Sequence, residues 1–326
     1  MTEAALSTRL TEFLGIENPI LLAPMAGISG GRLAAAVTAA GGLGLIGGGY
    51  GDAEWLQREF EQADGADAGS RVGVGFITWS LARNPELLDD ALARRPATIM
   101  LSFGDLKPFA DRIHAAGIPL TAQAQNLDHA RQALDVGADI IVAQGGEAGG
   151  HGMSVRSTFT LVPDVADLVA ERSPKALVLA AGGIADGRGL AAALALGADG
   201  ALVGTRFWAA SEALVSPRAQ QRAVQASGDD TVRTQVLDVV RRLDWPAEYD
   251  IRALNNSFLD TWHGNETQLR ESLPVALETF EKAVAAEDFD AAPVIVGEGV
   301  GRVRDVRPAR DIVREMVRDA RRILNQ

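Results

Sequence analysis

Short runs of aliphatic and β-branched residues, apolar at every position rather than every second one, alternate along the chain with Ala/Leu/Arg/Asp-rich stretches of helical period. A strand that is apolar on both faces must be buried on both, the condition of a parallel strand between an inner core and an outer layer of helices. Eight such runs are present: Ile20–Ala23, Leu43–Ile46, Val72–Gly75, Thr98–Ser102, Leu120–Ala122, Ile140–Ala143, Leu177–Ala180 and Ala201–Val203. The stretches between them predict helices, Leu127–Val136 and Gly187–Leu196 among them. Asp135-Val136-Gly137-Ala138-Asp139 and Leu196-Gly197-Ala198-Asp199-Gly200 repeat one device, a glycine that stops a helix just before a strand begins. Eight βα units with this internal echo predict an α/β fold, a (β/α)₈ TIM barrel, rather than an open sheet.

Beyond the eighth run the pattern changes. Residues 207–290 read as polar, helical and strandless, which predicts a helical lid over the C-terminal face of a barrel formed by 1–206 and 291–326. Val303–Leu324 is a basic amphipathic stretch, read as the closing helix that packs back on the barrel.

Composition narrows the chemistry. With 326 residues, 47% of them apolar, the chain can fill one large core. The absence of cysteine excludes disulfides, thiolate metal sites and cysteine nucleophiles. No other metal-ligand motif stands out, so no metal is expected. A net charge of −12 argues against nucleic acid or an anionic membrane surface as partner. No apolar run reaches the ~18 residues of a membrane span, and the charged stretch Met1–Thr11 lacks the apolar run of a signal peptide. The expectation is a cytoplasmic protein with a small-molecule substrate. A homo-oligomer is left open.

The chemistry-bearing residues follow the predicted strands. After the first comes Ala23-Pro24-Met25-Ala26-Gly27, a turn able to bring backbone amides against a planar ligand. Ala181-Gly182-Gly183-Ile184 follows the seventh, and Gly204-Thr205-Arg206-Phe207 the eighth. Small residues at that pair of strand ends let N–H groups converge on a phosphate. After the sixth strand, Ala143–Gly152 carries five glycines in ten residues and presents Gln144, Glu147 and His151. His151, at a strand's catalytic end in that loop, is the candidate acid–base or anion-binding group. His114, His129 and His263 read as structural or solvated. Gly42-Leu43-Gly44-Leu45-Ile46-Gly47 fits a dinucleotide fingerprint by letter but forms the strand instead of following one, and is rejected.

In this order and spacing, Ala23-Pro24-Met25, the Gln144–Gly152 loop, Ala181–Gly187 and Gly204–Phe207 resemble the nitronate monooxygenase family, over residues from about 15 to 215. The resemblance implies a non-covalent FMN and oxidation of alkyl nitronates by O₂ to a carbonyl compound and nitrite. It implies contacts to FMN from Pro24, Met25, Gly75, Gln123, Gln144, Gly149, Gly150, Gly182, Gly183, Gly204 and Thr205. His151 would be catalytic, as base on a nitroalkane or as a partner of the nitronate anion. Two departures stand out: Gly75 replaces an asparagine that many relatives place on the flavin, and Met153 replaces a polar residue beside the histidine.

The same Glu147–His151 loop also resembles flavin-dependent enoyl-acyl-carrier-protein reductases, and an NADH:quinone reductase is a third reading. Gln144 stands where those enoyl reductases carry an acid, and an acidic lid would repel an acidic carrier protein. A non-catalytic barrel binding a phosphorylated metabolite is the reading from another class. Trp245, Tyr249, Trp262 and His263 are the lid's candidates for substrate contact.

Overall fold

The computed structural model describes residues 6–66 and 71–324. The part of Met1–Thr11 before residue 6, and the last two residues of the expected barrel segment, lie outside them.

Nine strands occupy the first two thirds of the chain: β1 (Ile20–Leu22), β2 (Leu45–Gly47), β3 (Gly73–Ile77), β4 (Ile99–Ser102), β5 (Leu120–Ala124), β6 (Ile140–Gln144), β7 (Gly150–Gly152), β8 (Leu177–Ala181) and β9 (Gly200–Val203). All but β7 form one parallel sheet in the order β1-β9-β8-β6-β5-β4-β3-β2. A bridge between Leu21 and Leu43 closes it, with Leu22 N–H donating to the Leu43 carbonyl at 2.9 Å and Leu43 N–H to that of Ile20 at 3.0 Å. The predicted barrel is the observed one.

Successive strand residues face opposite layers, as the pleat requires. Leu21, Leu45, Met100, Val142, Leu179 and Leu202 fill the interior. Leu22, Ile46, Val74, Leu101, Ile141 and Val203 face the helices. Leu10, from the helix Arg9–Leu14, joins the interior cluster and plugs the lower end. The two echoed phrases share a further device: Asp139 Oδ2 accepts the N–H of Leu120 at 2.8 Å, and Asp199 Oδ2 that of Val178 at 2.9 Å, so each aspartate ties its strand to a neighbour. The closing helix runs from Ala309 to Leu324, after Pro308, and packs on the helices Gly187–Ala195 and Gly31–Ala39.

The segment after β9 departs from the strandless reading. It holds helices but also β10 (Thr231–Thr234) and β11 (Asp250–Leu254), antiparallel to each other. β11 pairs in turn with β7, Ile251 opposite His151. The insertion therefore grips the glycine-rich loop by a three-stranded sheet, β10-β11-β7. Residues 294–303 pack with Trp208, Ala219 and Leu254 of that insertion.

Candidate active site

The C-terminal ends of the barrel strands open into a cavity of about 520 Å³. His151 lines it, as do Pro24, Met25, Gly75, Gln123, Gln144, Gly149, Gly150, Gly182, Gly183, Gly204 and Thr205. Twelve positions up to 181 residues apart in sequence, from strand ends and the loops after them, thus meet at one mouth.

At the ends of β8 and β9, the backbone N–H groups of Gly182, Gly183, Gly204 and Thr205 make no hydrogen bond to other described residues. Gly182 and Gly183 hold φ +105° and +71°, the left-handed region that disfavours any side chain. Four unmatched donors at two adjacent strand ends suit an anion with several acceptor oxygens. Arg206 is not among its ligands, because the guanidinium turns outward to Asp305, Nη2 to Oδ1 at 2.8 Å.

The glycine-rich loop is held from three sides. Glu147, expected to face a ligand, instead accepts the Thr158 N–H on both carboxylate oxygens and the Thr158 hydroxyl on one, each at 3.0 Å. It anchors the loop to the start of the helix Thr158–Arg172. Gly149 lies against Gly297 so closely that a Cβ on it would stand 2.3 Å from the Gly297 nitrogen. From the insertion, Arg233 Nε and Arg252 Nε both donate to the Gly146 carbonyl at 3.1 Å, and Arg233 Nη2 to that of Ala148 at 3.1 Å. Gln144 is likewise committed: its Oε1 accepts from Gln123 and, at 2.8 Å, from Gln125, whose own Oε1 meets His129 Nδ1 at 3.0 Å. His129 does not line the cavity but is linked through Gln125 to Gln144, which does.

His151 is the focus. Its Nε2 lies 2.9 and 3.0 Å from the two oxygens of Asp238, and the two side chains are 9% and 7% exposed. A carboxylate only accepts, so Nε2 carries the hydrogen and Nδ1, which has no partner among the described residues, keeps its lone pair. Burial holds the imidazole below its usual value of 6.5, against the opposing pull of Asp238. Trp245 stacks on the ring. Phe103, at φ +65°, turns its edge to Trp245, Tyr249 and His151. A bulky residue in the left-handed region costs on the order of 1–3 kcal/mol, a strain typical of functional sites.

Of the four lid candidates only Trp245 lines the cavity. Tyr249 packs behind it, Trp262 joins the insertion's own core, and His263 Nδ1 turns to Thr234 Oγ1 at 3.1 Å. Sequence reading missed Asp238, Arg233, Arg241 and Arg252. Asp238 did leave a signal: a lone acid in Val236-Leu237-Asp238-Val239-Val240 is an acid that folding buries, and a buried acid needs a partner.

Comparison with known proteins gives matches of sequence and of fold. A family model described as nitronate monooxygenase matches residues 7–72 and 82–319. A nitronate monooxygenase of Neurospora crassa is 32% identical, covering 98% of this chain and 93% of its own. The structure of FabK from Thermotoga maritima superposes with a TM-score of 0.83 at 30% identity, over 98% of both chains. A nitroalkane oxidase from Streptomyces ansochromogenes gives 0.80 at 27%, over 97% of this chain and 99% of the other.

Proposed function

Because the chain belongs to the nitronate monooxygenase family of flavin-dependent oxidoreductases, we propose that its cavity binds FMN and that the protein oxidises alkyl nitronates with O₂ to a carbonyl compound and nitrite. The observation that carries this reading is the His151–Asp238 pair at a cavity also lined by four residues whose backbone donors have no acceptor among the described residues.

The residues fit the cofactor. The N–H groups of Gly182, Gly183, Gly204 and Thr205 suit a single phosphate, and Pro24, Met25, Gly75, Gln123, Gln144, Gly149 and Gly150 line the space for a planar ring. Bound there, the flavin supplies electron transfer from substrate to O₂, which no side chain in the cavity offers. The protein's own part lies in proton and charge placement. Asp238 fixes the Nε2–H tautomer, which aims the Nδ1 lone pair as the base. A neutral nitroalkane gives its α-proton to that nitrogen, whereas a nitronate arrives without it. The insertion, residues 207–290, serves as the cover, with Trp245 excluding water from the imidazole.

The test is His151→Asn assayed with both substrate forms under air. Loss of nitroalkane turnover by roughly 10²- to 10⁴-fold, the usual contribution of a general base, with flavin retained, is expected. Undiminished nitroalkane turnover removes His151 from proton transfer.

The FabK likeness favours one second reading, reduction of an enoyl thioester by NAD(P)H. Against it stands Gln144, whose amide is held by Gln123 and Gln125 and offers no acid. Rapid NADH consumption with crotonyl thioesters would favour that second reading.

A further inference from the structure

Arg241 is the only arginine or lysine among the described residues that line the cavity. It ends the helix Val236–Arg241, with Nε donating to the Leu237 carbonyl at 2.8 Å and Nη2 to Asp238 Oδ1 at 3.1 Å. Its Nη1 donates to no described residue, and its side chain keeps 26% exposure. Arg233, the other cation near the histidine, is already committed: Nε, Nη1 and Nη2 all donate to loop carbonyls or to Asp250. The same oxygen that Arg241 meets, Asp238 Oδ1, lies 2.9 Å from His151 Nε2.

That shared oxygen sets an electrostatic problem. A carboxylate only 7% exposed, next to a neutral imidazole, repels any anion that approaches the imidazole. Arg241 offsets the charge of Asp238 from the cavity side and still presents unused N–H groups. A guanidinium is planar and always charged, so it matches a planar two-oxygen anion better than an ammonium does. We infer that Arg241 is a specificity-determining residue that holds an oxygen of a small, planar, anionic substrate while His151 faces its carbon, selecting anions such as nitronates over neutral thioesters. This rests on the nitronate reading of the same site. It adds the residue that recognises the negative charge.

The experiment compares wild type with Arg241→Met, Arg241→Lys and Arg241→Ala, all as flavin-containing protein with flavin content read from absorbance. Nitrate, a planar unreactive anion, is titrated by calorimetry, and KM and kcat are measured with propyl nitronate. In Arg241→Met, nitrate Kd and nitronate KM both rise on the order of 10- to 100-fold, the effect of a lost charged hydrogen bond. The Lys variant loses less, and kcat changes only a few-fold. Added guanidinium ion lowers the KM of Arg241→Ala, which a purely structural role does not explain. Unchanged nitrate affinity in the Met and Lys variants, or no nitrate binding to wild type, overturns the inference. Arg241-dependent nitrate binding in a protein that releases no nitrite upholds the anion site and rejects the nitronate reading.

Discussion

His151 and Trp245 lie face to face, their ring centroids 3.4 Å apart and their planes 8° from parallel. One comes from the loop after the sixth barrel strand and the other from the insertion, so the stack joins the two parts of the chain over the cavity. Trp245 is fixed by its Nε1–H, which donates to Tyr50 Oη at 3.0 Å, and by the edges of Phe103 and Trp79. Burial lowers the His151 pKa, and Trp245 supplies part of that burial. Trp245→Ala readmits water, and the imidazole then titrates closer to 6.5. The acid limb of the nitroalkane kcat/KM profile should move to higher pH. An unmoved limb means that Trp245 does not shield the ring.

Stability should carry the same signature. The folded His151 pKa lies below 6.5, so below that pH the unfolded chain takes up a proton that the folded site refuses. The unfolded state then binds more protons, and stability falls as pH drops from 6.5 toward the depressed folded value. Above 6.5 neither state holds the proton and the contribution is level. His129 is lowered by burial too and acts in the same direction. Thermal unfolding between pH 7 and 5 should therefore show a declining Tm whose slope is shallower in His151→Asn. An equal slope in wild type and variant contradicts the shift.

Gly75 stands where a side chain does not fit: a Cβ there would lie 2.3 Å from Pro24 Cγ, a rigid ring that cannot swing aside. Gly75→Asn should cost about 1–3 kcal/mol, the usual range for overpacking, and loosen the turn at Pro24-Met25. A Cβ at Gly75 would also lie 2.5 Å from Pro24 Cβ, so the same change made in a Pro24→Gly background, which removes both ring contacts, should cost less. Denaturant unfolding of the four proteins measures the coupling, and equal costs in both backgrounds argue against the clash.

Arg233 is 7% exposed and ties β10 to Gly146, Ala148, Gly152 and Asp250. Arg233→Met removes these bonds at once. Breaking a fully buried pair costs about 3–5 kcal/mol. Asp250 keeps 29% exposure and can rehydrate, so roughly 2–3 kcal/mol is expected. Limited proteolysis should find new cleavage between residues 145 and 157. A loop equally resistant in the variant shows that other anchors suffice.

The barrel was legible because its strands are buried on both faces, so that Ile140-Ile141-Val142-Ala143 has no polar position to blur the signal. The cavity-lining positions were legible because loops such as Gly145–Gly152 have no propensity of their own and must serve something they wrap. β10 and β11 were hidden for the opposite reason. Arg233 and Arg252 belong to a segment that reads as polar and helical, yet both turn inward to the carbonyl of Gly146, whose need for donors arises only once the loop is folded. Glu147 shows the converse: a carboxylate in a glycine loop looks like a ligand group, but the free N–H of Thr158 claims it. Asp238 lies 87 residues from His151, so the local pattern that marks it for burial does not name its partner.

The most direct measurement is an anaerobic absorbance titration of the purified protein. A flavin spectrum that bleaches on addition of propyl nitronate, with nitrite and carbonyl product formed at matching rates once air is admitted, is the expected result. A flavin that NADH reduces quickly while nitronate leaves it oxidised, or a protein that carries no flavin, contradicts the proposed function.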